Sequence, residues 1–355
     1  MKLVTVVGNR PQFIKAAAVS MPLREGNEEL LVDTGQHYDD ELSTIFVEEL
    51  GIPRPEFELG IAGGSNSEQT AQIITALAPL LADQRPDAVL VYGDTNSTLA
   101  GALTAAQAKI PVIHIEAGMR SFDRTMPEEL NRVLTDHCSD LLLCPCETAM
   151  TNLQLEGLAA RAEMVGDVMV DVALQMRPRA AANTSVLELA GVEPGGYILA
   201  TAHRAANVDD PQRLAELVEL LLAVEGPVVL PLHPRTLARL EAAGLLGRLE
   251  AGGVKLLGPL GYIDFTALLL SARAVLTDSG GVQKEAFIAG VQCVTLRDTT
   301  EWTETVECGW NTLVGLDRDA ALTALANPPS SARPAPYGDG HAAALVVEAV
   351  ARFAA

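Results

Sequence analysis

The sequence is short of basic residues: 25 lysines and arginines stand against 46 aspartates and glutamates, a formal net charge of −21 at pH 7. A field of that sign repels polyphosphate backbones and anionic lipid, so nucleic acid and membrane surfaces are poor partners. Any small anionic ligand must then find a local cationic pocket. Cysteine is scarce as well, with five residues at 138, 144, 146, 293 and 308 in a chain of 355. An odd count in a chain too long to need disulfide staples points to a reducing compartment, with the cytoplasm as the default. No apolar run reaches the ~18 residues of a membrane span. Residues 1–8 are too short an apolar run for a secretory leader and pass into Arg10 without a small-residue cleavage site. The cluster His137, Cys138, Cys144 and Cys146 matches no common zinc spacing, and Pro145 separates its last two thiols. Buried thiols, with no metal, are the expectation. Walker and GxGxxG loops are both missing, which disfavours a nicotinamide enzyme.

What is present is the pattern of a folded enzyme, 48% hydrophobic, with 29 glycines and 20 prolines spread along it. At ~100–200 residues per domain the length favours two domains. Short β-branched runs at 3–7, 30–33, 88–92, 112–115 and 141–144 alternate with helical patterns, and the rhythm restarts at 197–201, 228–230, 254–257, 274–277 and 291–295. Such alternation predicts parallel sheets covered on both faces, hence an α/β chain of two doubly wound Rossmann-like domains joined near 167–190, where the pattern loosens at 175–185. A soft stretch at 327–340 precedes an apolar helix over 341–353. Helix starts are legible at Ser65 with Glu68, at Pro127 before Glu128 and Glu129, and at Asp210 before Pro211.

Ligands of open parallel sheets bind outside the carboxyl ends of the strands. Those positions here hold Arg10 with Lys15, Asp94, Glu116, His203 with Arg204, His233, and Asp278 to Gly281. Each has a bland reading. Asp94 suits a cap for a helix beginning at Asn96, Glu128 suits a helix dipole, and the two histidines suit structural roles. Glu116, just past an apolar strand, needs a cationic or hydrogen-bonding partner. The run 277–285 (TDSGGVQKE) offers bare amides at a helix start expected near Val282, which suits a phosphate. Arg10, Lys15, Arg120, Arg204, Lys284 and Arg297 lie in or near these loops, a local basicity that fits a diphosphate.

The segments GNRPQFIK, GDTNST, HIEAGMRS, MPEELNR, TAHRAANVD, TDSGGVQKEA, LRDTTEWTETVECGWN and PYGDG occur in that order along the chain. Together they resemble the prokaryotic non-hydrolysing UDP-N-acetylglucosamine 2-epimerases, over essentially the whole length. The resemblance implies glycosyltransferase-B architecture, two Rossmann-like domains facing a cleft, usually as a homodimer. An N-terminal domain of residues 1–168 would carry the final helix, 341–355, packed back on it, and a UDP-binding domain would span 169–340. The implied reaction interconverts UDP-GlcNAc and UDP-ManNAc through elimination of UDP to a 2-acetamidoglucal, with no redox cofactor. By the same resemblance Asp94, Glu116, Glu128 and His203 are catalytic, with the carboxylates moving protons at C2. Arg10, Lys15 and His203 would stabilise the departing diphosphate, and Arg204 and His233 would join the substrate site. Ser279, Gly280 and Gly281 would bind phosphate, Glu285 the ribose and Phe265 the uracil.

The chain departs from the family pattern at Gln12, where the first loop usually has Glu, and at Ala206, where His-Arg-x-Glu-Asn has lost its acid; Thr303 stands where many relatives carry Pro. Gln36, His37 and Gln69 lie in the region of the regulatory site that some members have. The departures leave other readings open: epimerisation of another UDP-2-acetamido sugar such as a UDP-diacetamido uronic acid, hydrolytic release of free ManNAc, glycosyl transfer, or UDP-sugar binding without catalysis.

Overall fold

The computed structural model describes residues 1–36 and 51–354, so His37 lies outside the described residues. The chain divides into two compact units, Met1–Leu174 with Ala335–Ala355, and Gln175–Pro334. The first holds seven parallel strands: β1 (Lys2–Val7), β2 (Glu28–Asp33), β3 (Phe57–Glu58), β4 (Ala88–Tyr92), β5 (Val112–Ile115), β6 (Leu141–Cys144) and β7 (Ala162–Met164), in the order β3-β2-β1-β4-β5-β6-β7. The second holds six: β8 (Ile198–Thr201), β9 (Val228–Pro231), β10 (Lys255–Leu257), β11 (Ala274–Thr277), β12 (Gln292–Thr295) and β13 (Asn311–Leu313), in the order β10-β9-β8-β11-β12-β13. Both are doubly wound Rossmann-like sheets, the make-up of the glycosyltransferase-B class.

The central strands read as unbroken apolar runs because helices cover both faces. Val4, Val6, Val89 and Val91 are fully buried in one core, and Leu199, Val229 and Val275 in another. Burying each such side chain is worth about 1.5–3 kcal/mol. The three strands that the periodicity misses, β3, β7 and β13, are two- or three-residue edge strands, too short to show a period. In both sheets the strand order reverses beside the first strand, between β1 and β4 and between β8 and β11. Thr201 sits opposite Thr277, so the loops that follow β8 and β11 leave the sheet at one level. A reversal of this kind opens the crevice in which such sheets take ligands.

Six helices matter below: α1 (Arg10–Arg24), α2 (Asn96–Gln107), α3 (Pro127–Cys138), α4 (Val168–Ala182), α5 (Gly280–Ala289) and α6 (Ala342–Phe353). The expected loosening at 175–185 is corrected, since α4 runs through most of it; the chain changes units inside that helix, at Leu174 and Gln175. Buried Val168, Met169, Val170 and Val172 outweigh the polar residues that follow them. Helix α5 starts at Gly280, two residues ahead of expectation, because Ser279 caps it. No helix among the described residues is long and apolar enough to cross a membrane. Cys144 and Cys293 lie wholly buried in their strands, and burial pushes the Cys293 thiol up to about 12.

Helix α6 returns to pack on α1, and its start is tied by Asp171 of α4, whose carboxylate accepts from the amides of Ala342 (3.1 Å) and Ala343 (2.9 Å). Burial raises the Asp171 pKa, and those two amides oppose the rise. An Asp171→Ala variant is expected to lose about 1 kcal/mol. Hydrogen exchange would show it as faster exchange of the Ala342 and Ala343 amides, with the core strands unchanged.

Candidate active site

In the first unit the crevice is built by three loops. After β1, Asn9 caps α1 and places Arg10, half-buried, at its first position. Lys15, more than a turn further on, is 6% exposed and donates to Glu116 Oε1 at 2.7 Å. Glu116 therefore has the cationic partner that its place required. Its backbone is in the left-handed region, with φ +72°. That conformation is disfavoured for a residue with a Cβ and concentrates at functional sites. Gly93 makes room for the pair, since a Cβ there would lie 3.0 Å from Lys15 Nζ and 3.5 Å from Glu116 Oε1.

Asp94 does not cap the next helix. Thr95 does, accepting from the Thr98 amide, while the Asp94 carboxylate turns to Arg132 of α3, whose Nη2 donates to Oδ2 at 2.6 Å. Asn131 Nδ2 holds the Asp94 carbonyl at 3.0 Å. Glu128 stands at the second position of α3, four residues before Arg132 and thus on the same helix face. This helix is inverted relative to an ordinary surface helix. It buries Glu129, Asn131, Arg132, Thr135 and Asp136, while Leu130 and Leu134 are 46% and 41% exposed.

Gln12 explains its own departure from the family pattern. It is 1% exposed, and its Oε1 accepts from the Gly8 amide while Nε2 donates to the Tyr92 carbonyl and the Thr98 hydroxyl, all three at 2.8 Å. A carboxylate has no hydrogen to give those two acceptors. In this chain, residue 12 ties the β1 loop to the β4 loop as a neutral bracket.

Arg120 corrects the expectation of local basicity. It is 3% exposed and spent on Asp136 (2.7 Å) and Glu156 (2.7 Å). Asp136 also faces His114 Nδ1 at 2.7 Å, and His114 Nε2 reaches the Gly93 carbonyl at 2.7 Å. Burial by itself would push Asp136 up, but the hydrogen bonds and charges of His114 and Arg120 outweigh it and hold the carboxyl below the usual range. These buried groups support the loop that carries Asp94.

The second unit presents His203 and Arg204 after β8, His233 after β9 and Ser279, Gly280 and Gly281 after β11. Asp278, fully buried, accepts from the amides of His203 (3.1 Å) and Arg204 (3.0 Å), and its Oδ1 is 3.5 Å from His203 Nδ1. The His203 and His233 rings stack with centroids 5.4 Å apart. His233 Nδ1 accepts from the Arg235 amide, capping the helix Pro234–Ala242. Gly280 leaves room for the Glu301 carboxylate, since a Cβ there would fall 2.3 Å from Oε1. Arg297 pairs with Glu301 at 3.0 Å, and Lys284 Nζ lies 4.1 Å over the Trp302 ring. Glu285 is half-buried on α5, and Phe265 is 7% exposed among core residues that include Leu199 and Val275.

The structure thus brings Lys15, Glu116, Asp94 and the polar face of α3 together at one strand edge. At an edge of the other sheet it brings together His203, His233 and the start of α5. Roles for His114, Arg132, Asp136 and Asp278 escaped the sequence reading. A histidine inside an apolar strand, and an Arg four residues after Glu128, were the available signals.

The family model for UDP-N-acetylglucosamine 2-epimerase matches residues 22–351. A Pseudomonas aeruginosa protein named UDP-2,3-diacetamido-2,3-dideoxy-D-glucuronate 2-epimerase is 48% identical over 99% of this chain and 100% of its own. The UDP-N-acetylglucosamine 2-epimerase of Methanocaldococcus jannaschii is 42% identical over 92% of this chain and 91% of its own. A crystal structure of Methanocaldococcus jannaschii UDP-GlcNAc 2-epimerase with UDP-GlcNAc and UDP matches with a TM-score of 0.94 at 40% identity, covering 99% of this chain and 100% of that one.

Removing the Asp136 carboxylate would leave Arg120 under-paired, so Asp136→Ala is expected to lose about 3 kcal/mol. The folded pKa lies below the unfolded one, so this stabilisation is full above about pH 4 and fades as pH falls through the folded value. Thermal unfolding should show the gap between wild type and variant widest at neutral pH and narrowing in acid. Gln12→Glu should lower stability by about 2 kcal/mol at neutral pH, because its carboxylate would face the Tyr92 carbonyl.

Proposed function

Because the chain belongs to the UDP-N-acetylglucosamine 2-epimerase family, we propose that it interconverts UDP-GlcNAc and UDP-ManNAc by inverting C2 of the sugar. The carrying observation is the pairing of Glu116 with Lys15 beside Asp94 at the switch point of the first sheet. Carbon 2 has no adjacent ketone, so direct deprotonation would leave an unstabilised carbanion. Elimination avoids this. A carboxylate takes the C2 proton, the C2–H pair becomes the C1=C2 bond, and the C1–O pair departs with UDP. The 2-acetamidoglucal and UDP then recombine, with a proton delivered to the opposite face of C2. Oxidation states are unchanged, so the balance calls for no redox cofactor.

In this reading Asp94, Glu116 and Glu128 carry protons, while Arg10, Lys15 and His203 stabilise charge on the departing diphosphate. Ser279, Gly280 and Gly281 hold phosphate at the start of α5, where helix amides favour an anion. Arg204 and His233 join them, Glu285 takes the ribose and Phe265 flanks the uracil. Work in the cytoplasm fits the free thiols. Homodimerisation would cover Leu130 and Leu134, the outward leucines of α3, and light scattering of the Leu130→Glu, Leu134→Glu double variant should then report a monomer.

A second reading is favoured by the 48% identity to a protein named for a diacetamido uronate. Alanine at 206, exposed just after His203, removes one negative charge from a family motif, which lowers repulsion of a sugar that bears a carboxylate. Proton NMR in deuterated water, with UDP-GlcNAc and with UDP-2,3-diacetamido-2,3-dideoxyglucuronate in turn, separates the readings. Deuterium at C2 with both epimers present from UDP-GlcNAc supports the first, and exchange confined to the uronate supports the second. Binding without exchange of either sugar would overturn both. His203→Ala and Glu116→Gln should each lower turnover by about 10² or more.

A further inference from the structure

We propose that Arg132 is a positioning residue that holds Asp94 in its working orientation by tying it to the loop after β5. The inference rests on the reading of Asp94 as a proton carrier. Asp94 is clamped on one side only. Arg132 Nη2 binds Oδ2 at 2.6 Å and Asn131 binds the main-chain carbonyl at 3.0 Å, while Oδ1 has no hydrogen bond among the described residues and the side chain is 29% exposed. One carboxylate oxygen is fixed while the side chain stays partly exposed, the arrangement that a presented proton acceptor needs.

The clamp is itself anchored. Arg132 has a side chain only 4% exposed, and its Nη1 donates to Glu129 Oε2 at 2.9 Å. Glu129 accepts in turn from the Ser121 amide (2.9 Å), the Ser121 hydroxyl (3.0 Å) and the Phe122 amide (2.9 Å). Phe122 has φ +59°, so this carboxylate also secures a residue in the left-handed region. A planar guanidinium can serve two carboxylates through separate nitrogens, whereas a lysine ammonium is a point charge that cannot reproduce the fork. Arg132 thereby couples the loop after β4 to the loop after β5 from the same helix face as Glu128.

The test is a double-mutant cycle of Arg132→Lys and Asp94→Asn. It is read as kcat, KM and C2 proton exchange, with whichever of UDP-GlcNAc or UDP-2,3-diacetamido-2,3-dideoxyglucuronate the wild type turns over. Arg132→Lys keeps a charge beside Glu129. It should lower kcat about 10²-fold, with KM and calorimetric UDP affinity within about threefold of wild type. In the Asp94→Asn background the further loss should stay under about threefold, because a residue that acts through Asp94 has nothing left to position. Losses that multiply, or Arg132→Lys turnover within about threefold of wild type, would overturn the proposal. Near-normal turnover of Asp94→Asn would instead sink the reading of Asp94 and the inference with it. Should Arg132→Lys fail to fold, Glu129→Gln keeps the guanidinium but loosens its anchor. The same loss of kcat and the same non-additivity with Asp94→Asn are then expected, and additive losses would overturn the proposal.

Discussion

A carboxylate taken out of water must be paired, and the first unit gathers several beneath the carboxyl edge of one sheet. Burying an unpaired charge would cost several kcal/mol, a large part of the margin by which a domain is stable. The arrangement that follows is a set of matched partners: Lys15 with Glu116, Arg132 with Asp94 and Glu129, Arg120 with Asp136 and Glu156. These pairs connect the loops after β1, β4 and β5. Losing one member would strand its partner, so the loops are constrained together.

Helix α3 meets this requirement by turning its polar side inward. Arg132 and Asp136, one turn apart, each close an ion pair, while Leu130 and Leu134 face out. The cost of the arrangement is an apolar stripe left on the surface. Glu116 in the left-handed region is a second cost, offset by the Lys15 pair and by hydrogen bonds that fix its loop. Such local conflicts are expected at functional sites and rare elsewhere.

The two departures from the family motifs differ in kind. Gln12 is built into the fold, since both ends of its amide are used and a carboxylate could satisfy only one of them. Ala206 lies exposed in the short helix Ala205–Val208 that follows His203, where no packing demands an acid. The neutral residue at 12 therefore reflects structure, and the one at 206 bears on what the site admits.

Much of this was legible in the sequence, because its signals are local. Apolar runs of four to six residues placed most central strands, for a parallel strand buried on both faces cannot hide its composition. Ser65, Pro127 and Asp210 marked helix starts because capping involves neighbours a few positions away. The collinear motifs pointed to the family and, through it, to candidate catalytic positions. Tertiary structure decided which charges are available and which are spent. Arg120 and Arg132 look alike in the sequence and each bridges two acids, yet of the two it is Arg132 that grips a candidate catalytic carboxylate. Asp94 sits one residue before the true cap, and only the fold shows that its side chain turns away from that helix. Ion pairing depends on residues tens of positions apart, such as 15 with 116 and 94 with 132, and a linear pattern carries no record of which distant partner a charge will meet.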